Sequence, residues 1–146
     1  MKNARYDEFQ IANRHRIAFQ SFILVLILIG INGYVKAGYG LWASPLLESF
    51  ILVSIPGMYF AMMSIAKNAY FSKNDYPVFF IVLLGLAATT GIFSTVPYIF
   101  SDGYPLIENG QLSDWVMGLV ITIISGGLGV VLLGRRVINK RVEEVE

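Results

Sequence analysis

The chain has 146 residues, of which 55% are hydrophobic and 14% charged, and a formal net charge of +1. Its mean hydropathy of +0.62 exceeds that of an ordinary soluble domain and favours a protein solvated by lipid. The lack of cysteine excludes disulfides, thiolate metal sites and cysteine nucleophiles, and the nearly neutral charge gives no indication of a nucleic-acid partner.

The charged residues are separated by four long apolar stretches that contain no charge. A helix rises about 1.5 Å per residue, so about 20 apolar residues cross the hydrocarbon core of a bilayer. Backbone groups in lipid must be paired within the protein, and continuous apolar runs without strand-like alternation favour helices over a barrel. We therefore predict an all-α, four-helix transmembrane bundle. Its spans cover about residues 17–35, 49–66, 77–100 and 115–134.

Residues 1–16 precede the first span and mix acids with bases. Four apolar residues from Tyr6 to Ile17 fall on roughly one side, which predicts a short amphipathic cytoplasmic helix lying on the inner leaflet. Docking to a cytoplasmic protein fits the same pattern. The candidate residues for lipid or partner contact are Arg5, Asp7, Glu8, Arg14 and Arg16.

The first span has a second interpretation, a secretory signal peptide with Val35-Lys36-Ala37 as its cleavage site. However, Asp7 and Glu8 stand among the N-terminal bases, and the run to Val35 is long for the apolar region of a signal peptide. We therefore interpret this stretch as a membrane helix.

Basic residues predict the orientation, because cytoplasmic loops accumulate Lys and Arg. Of the 11 Lys and Arg residues, only Lys36 falls in the first or third loop. The others lie before the first span, in the second loop and in the charged tail of residues 135–146. Both termini are therefore predicted to be cytoplasmic in a multi-pass protein of the plasma membrane.

Lys36 ends the first helix and Glu48 begins the second, both at the predicted outer boundary. A charge costs much less at this interface than at the bilayer centre, so the two can serve as a structural anchor, paired across the loop, or as part of a ligand site. Asn32 shares a face of the first helix with Ser21, because eleven residues make about three turns.

Pro56 and Pro97 lie in the outer parts of the second and third spans. Each removes a helical hydrogen-bond donor and frees carbonyls one turn earlier, which predicts helices that splay toward the outside. The same prolines could merely set a tilt, or they could border a functional cleft. The candidate functional residues are therefore Glu48, Lys36, Asn32, Pro56 and Pro97.

Small residues predict where the helices pack, since lipid gives no hydrophobic drive for association. One stripe occurs in each of the last three spans, and Gly126-Gly127 would let the fourth helix serve two neighbours. In the second, third and fourth spans, respectively, these stripes are Ser54, Gly57, Ala61 and Ser64; Ala87, Gly91, Ser94 and Thr95; and Gly118, Thr122, Ser125 and Gly129.

The third loop is acidic, with Asp102, Glu108 and Asp114, and Asn109-Gly110 predicts a turn within it. The acid spacing matches no calcium loop. His15 stands alone, so we predict no metal site, no cofactor and no catalytic residue.

Asp7-Glu8, Ile11, Arg16 and Ala18-Phe19 resemble the "DER"-type start of a domain-of-unknown-function family of small bacterial membrane proteins. The stretches Trp42 to Glu48 and Lys67 to Tyr70 are similar to a four-helix branch of that family, although Phe9 stands where the pattern has Arg. The resemblance implies an accessory membrane component of Gram-positive bacteria, often encoded beside a helix-turn-helix regulator, and it carries over no catalytic residue.

These patterns favour a non-enzymatic integral membrane protein that works through helix packing or contacts with a membrane or regulatory partner. A homodimer is one such arrangement. The alternative is a small dimeric transporter or channel that uses Glu48, for which that carboxylate would have to face a water-filled cleft.

Overall fold

The computed structural model describes residues 8–67, 69, 78–101 and 103–143, and only the backbone of Val78 and of residues 138–143. The described part contains four long helices and one short antiparallel hairpin. In chain order the elements are α1 Glu8–Tyr39, α2 Pro45–Ala66, α3 Val78–Ile99, β1 Ile107–Glu108, β2 Gln111–Leu112 and α4 Val116–Glu143. The predicted all-α four-helix fold is confirmed.

Each long helix is long and apolar enough to cross a membrane. Large apolar side chains cover the outside of the protein; Phe93, for example, is 80% exposed and Phe100 is 83% exposed. So large an apolar surface would be unfavourable in water, whereas hydrocarbon solvates it. The candidate spans are Glu8–Tyr39, Pro45–Ala66, Phe79–Ile99 and Val116–Val137.

α1 is a single helix from Glu8 to Tyr39, because neither proline nor glycine interrupts the sequence between Glu8 and Ile17. Residues 8–16 of the predicted amphipathic segment are thus helical and continue directly into the first span. Val35-Lys36-Ala37 lies inside this helix. Gly40 follows it with φ +83°, the left-handed conformation that suits glycine after a helix, and its N–H donates to the carbonyl of Lys36 at 3.0 Å.

The helices pack in the order α1, α2, α4, α3 within the described part of the chain. α2 and α4 are therefore central, while α1 rests mainly on α2 and α3 mainly on α4. This order leaves the two flanking helices with broad faces toward the surroundings.

Gly91 and Gly118 allow α3 and α4 to approach closely. A Cβ atom at Gly91 would lie 2.8 Å from the carbonyl oxygen of Gly118, and one at Gly118 would lie 2.6 Å from Ser94 Oγ. The buried Thr95 hydroxyl donates to the Gly91 carbonyl at 2.6 Å, so this polar group has a hydrogen-bond partner at the crossing. The predicted packing of small residues is confirmed at this contact.

The predicted stripe of α2 is only partly used. Ser64 is buried, but a Cβ atom at Gly57 would meet nothing within 4 Å. Met58 and Met62 of α2 instead place their terminal methyl groups 3.1 and 3.0 Å from the Cβ position of Gly127 in α4. Flexible thioether chains fill the irregular gap beside a glycine, which the spacing of small residues does not reveal. α4 thus serves two neighbours, both within this chain.

The β1–β2 hairpin turns at Asn109 and Gly110, whose φ angles are 51° and 78°. Positive φ at both central residues is typical of the tight turn that Asn-Gly favours. Leu112 then donates its N–H to the Trp42 carbonyl at 2.8 Å and pairs with Ala43. The third loop is therefore fixed to the first loop, and both lie at the end of the bundle that holds Glu48, hereafter the Glu48 end.

Candidate functional site

Glu48 is placed by the start of α2. Ser44 caps this helix by accepting the Leu47 N–H at 3.3 Å, and Pro45 occupies its first turn, where no internal donor is needed. Glu48 follows in the same turn and reaches α1. Among the residues whose side chains are described, it is the one charged residue that is buried.

Two residues of α1, one turn apart on the same face, bind the Glu48 carboxylate. Lys36 Nζ lies 2.7 Å from Glu48 Oε2, and Asn32 Nδ2 donates to Glu48 Oε1 at 2.6 Å. Both carboxylate oxygens therefore have a partner, which a buried charge requires. Lys36 and Glu48 thus pair across the loop, one of the alternatives that the sequence left open, and the candidate residues Asn32, Lys36 and Glu48 form one site.

Trp42 completes the site from the first loop, since its indole Nε1 donates to Asn32 Oδ1 at 2.7 Å. That bond orients the amide so that its NH₂ group faces Glu48. The sequence pattern alone did not predict this role of Trp42. A donor-only indole at a membrane boundary, ten residues after a polar side chain in a helix, is the signal that could have suggested it.

A further contact ties the third loop to the same region. Ser44 Oγ donates to Asp114 Oδ1 at 2.5 Å, so the residue that caps α2 also binds the segment before α4. The N–H of Val116, the first residue of α4, donates to the Ser113 carbonyl at 3.1 Å. The Glu48 site is thus braced by α1, α2 and both loops at this end.

The other candidate residues do not join this site. Pro56 is buried about 12 Å farther along α2, two turns beyond Glu48. Pro97 lies near the end of α3, which packs against α4. Both prolines lie within helices that continue past them.

The candidate lipid or partner contacts lie at the opposite end of α1. Glu8 and Arg16 are exposed there and Arg14 is partly buried, whereas Arg5 and Asp7 lie outside the described residues. Within the described part of the chain, no group of three or more His, Cys, Asp or Glu side chains could hold a metal ion.

The arrangement around Glu48 resembles an interhelical clamp more than a proton-exchange site. A carboxylate that couples protons to a substrate must alternate between protonated and free states. Here one oxygen pairs with an ammonium group and the other with an amide that is itself held by Trp42. The geometry therefore favours a permanent ion pair that fixes α1 to α2.

The fold and this clamp define an all-α protein with four candidate membrane spans, the class of multi-pass membrane proteins. The chain matches no protein-family model, no curated protein and no solved structure. The resemblance to small four-helix bacterial membrane proteins accordingly stays a prediction.

Proposed function

We propose that this chain is a non-enzymatic protein of the bacterial plasma membrane that acts through helix contacts with a second copy or with another membrane protein. The observation that carries the proposal is the outer face of α1, which points away from α2 and has no extensive contact with another described element. Gly30 and Gly33 lie on this face, and a Cβ atom at either would meet nothing within 4 Å. Glycine lets helices in lipid approach closely, so this face suits another helix.

The clamp supports the same proposal. It holds α1 against α2 at one end, and Tyr59 of α2 donates to Gln20 of α1 at 3.0 Å farther along. A helix fixed in this way presents its outer face at a defined angle. Such preorganisation lowers the entropic cost of binding a partner.

Photo-crosslinking tests the contact function. Leu26 and Ile27 are 50% and 52% exposed. They lie at nearly the same depth in the membrane, but their side chains point about 100° apart around α1. A photoreactive phenylalanine at 26, one turn before Gly30, should give a protein adduct of one defined mass in native membranes, several-fold stronger than at 27. Twice the chain mass would indicate a homodimer, and another mass would identify a second protein.

The matched variant Gly30→Leu should abolish the adduct formed from position 26, because the added side chain fills the close-packed face. Adducts with lipid alone from both positions would contradict the proposed contact function. Equal protein adducts from 26 and 27 would also contradict it, since they would report random collisions.

The proposed orientation places both termini in the cytoplasm and the Glu48 end outside. The chain has no native cysteine, so single cysteines can be labelled without background. In intact cells a membrane-impermeant maleimide should label Gly103→Cys in the third loop, and should label Glu8→Cys only after permeabilisation. The reverse pattern would overturn the orientation.

A second candidate function is a small dimeric transporter or channel that uses Glu48. It rests on the burial of this carboxylate near the end of a span, although Glu48 does not line the cleft between α3 and α4. It requires Lys36 and Asn32 to release Glu48 during each cycle. The stabilities of Lys36→Met and Glu48→Gln distinguish that requirement from a permanent clamp.

A further inference from the structure

A cleft of about 600 Å³ opens between α3, α4 and the third loop at the Glu48 end. This volume lies within the range of small-molecule sites, about 300 to 1,000 Å³. Ser94 and Tyr98 line it on either side of Pro97, where the missing backbone donor and the predicted splay would leave room. The cleft shares no lining residue with the Glu48 clamp.

Aromatic rings form one wall of the cleft. Tyr98 stacks on Trp115 with ring centres 6.1 Å apart and an interplanar angle of 6°, and it meets Tyr104 edge-on at 5.0 Å. Because the three rings support one another, they form a fixed surface whose exposed π faces carry negative potential. Such surfaces attract cations, above all weakly hydrated organic cations.

The charges that line the cleft have one sign. Glu108 and Asp114 contribute carboxylates, and no Lys, Arg or His is among the described residues that line it. Asp114 is oriented by the hydrogen bond from Ser44. Toward the middle of the bundle the lining changes to apolar and small residues of α4, including Ile121. The cleft thus combines an acidic, aromatic mouth with an apolar floor.

We propose that this cleft binds a lipophilic organic cation, with its positive centre near Trp115, Glu108 and Asp114 and its apolar part against α4. A zwitterionic lipid headgroup carries the same kind of cation. Its phosphate, however, would meet two carboxylates and no basic lining residue, so the lining favours a free monocation over a phospholipid. This inference is independent of the proposed contact function, because it involves neither the outer face of α1 nor Glu48.

Binding to the full-length chain in a non-ionic detergent tests the inference, with tetraphenylphosphonium as the probe and tetraphenylborate as an anion of the same shape. We expect saturable binding of the cation and at least about tenfold weaker binding of the anion. Glu108→Gln, which keeps the side-chain size, should weaken cation binding about tenfold. The matched control Glu8→Gln, an exposed acid at the other end of the bundle, should leave it unchanged.

Trp115→Leu should also weaken binding of the cation. If thermal unfolding of Glu108→Gln is unchanged, the loss of binding in Glu108→Gln is not due to misfolding. Equal binding of the two probes, or equal affinity of the wild type and Glu108→Gln, would overturn the proposal. Displacement of the probe by micelles of a zwitterionic choline lipid, but not by an anionic lipid, would overturn the assignment to a free cation and identify a lipid headgroup as the ligand.

Discussion

Lys36→Met is expected to lower the thermal unfolding midpoint by about 10 °C, roughly twice the loss caused by Glu48→Gln. The asymmetry follows from exposure, because the Lys36 side chain is 35% exposed and that of Glu48 only 8%. Without Lys36, a buried carboxylate retains only the Asn32 amide. Without the Glu48 charge, the Lys36 ammonium can reach water. Unfolding of the purified chain, followed by circular dichroism in one detergent, measures both variants.

The double variant Lys36→Met with Glu48→Gln supplies the control. It removes both charges together, so its thermal unfolding midpoint should lie above that of Lys36→Met alone. If the two effects were additive, the double variant would instead have the lower midpoint. A Lys36→Met protein as stable as the wild type would mean that the ion pair is not a clamp. That result would favour the transporter interpretation, in which Glu48 must separate from Lys36.

Gly91→Ala is expected to destabilise the fold by about 2 kcal/mol. The new methyl group would lie 2.8 Å from the Gly118 carbonyl oxygen and 3.1 Å from the Thr122 nitrogen. Both are backbone atoms of α4, so no side-chain rotation relieves the contact, and α3 must move away from α4. The loss can be measured by reversible unfolding in mixed micelles.

Gly85→Ala is the matched control in the same helix, since a Cβ atom there would meet nothing within 4 Å. It should leave stability unchanged or raise it by up to about 1 kcal/mol, because alanine favours the helix. Equal losses from Gly85→Ala and Gly91→Ala would contradict the close α3–α4 contact. The pair separates a packing effect from a general effect of substituting glycine in α3.

The sequence predicted the helices well because membrane spanning depends on a local sum of apolar residues. Two of the helices extend beyond the predicted spans for equally local reasons. α2 begins at Pro45, since Ser44 caps it, and α4 continues to Glu143, since no proline or glycine follows Gly134. The composition of a stretch determines whether it crosses a membrane, whereas its ends depend on individual caps and turns.

The candidate site was predicted in part. Lys36 and Glu48 stand on either side of a short loop. Because they are close in the sequence, their pairing could be considered without knowledge of the tertiary structure. Asn32 joins them because it lies one turn before Lys36. The contribution of Trp42 and the contact from Ser44 to Asp114, 70 residues apart, depend on how the loops fold over one another.

The sequence by itself therefore determined the class, the four candidate spans, and Asn32, Lys36 and Glu48 as residues of one site. Only the tertiary structure decided the packing order α1, α2, α4, α3, the packing of Met58 and Met62 against Gly127, and the cleft beside Tyr98. The physical reason is that lipid solvates every apolar face about equally well. Hydrophobicity can place a helix in the membrane, but which of its faces meets a neighbour depends on shape and hydrogen bonding between segments distant in the chain.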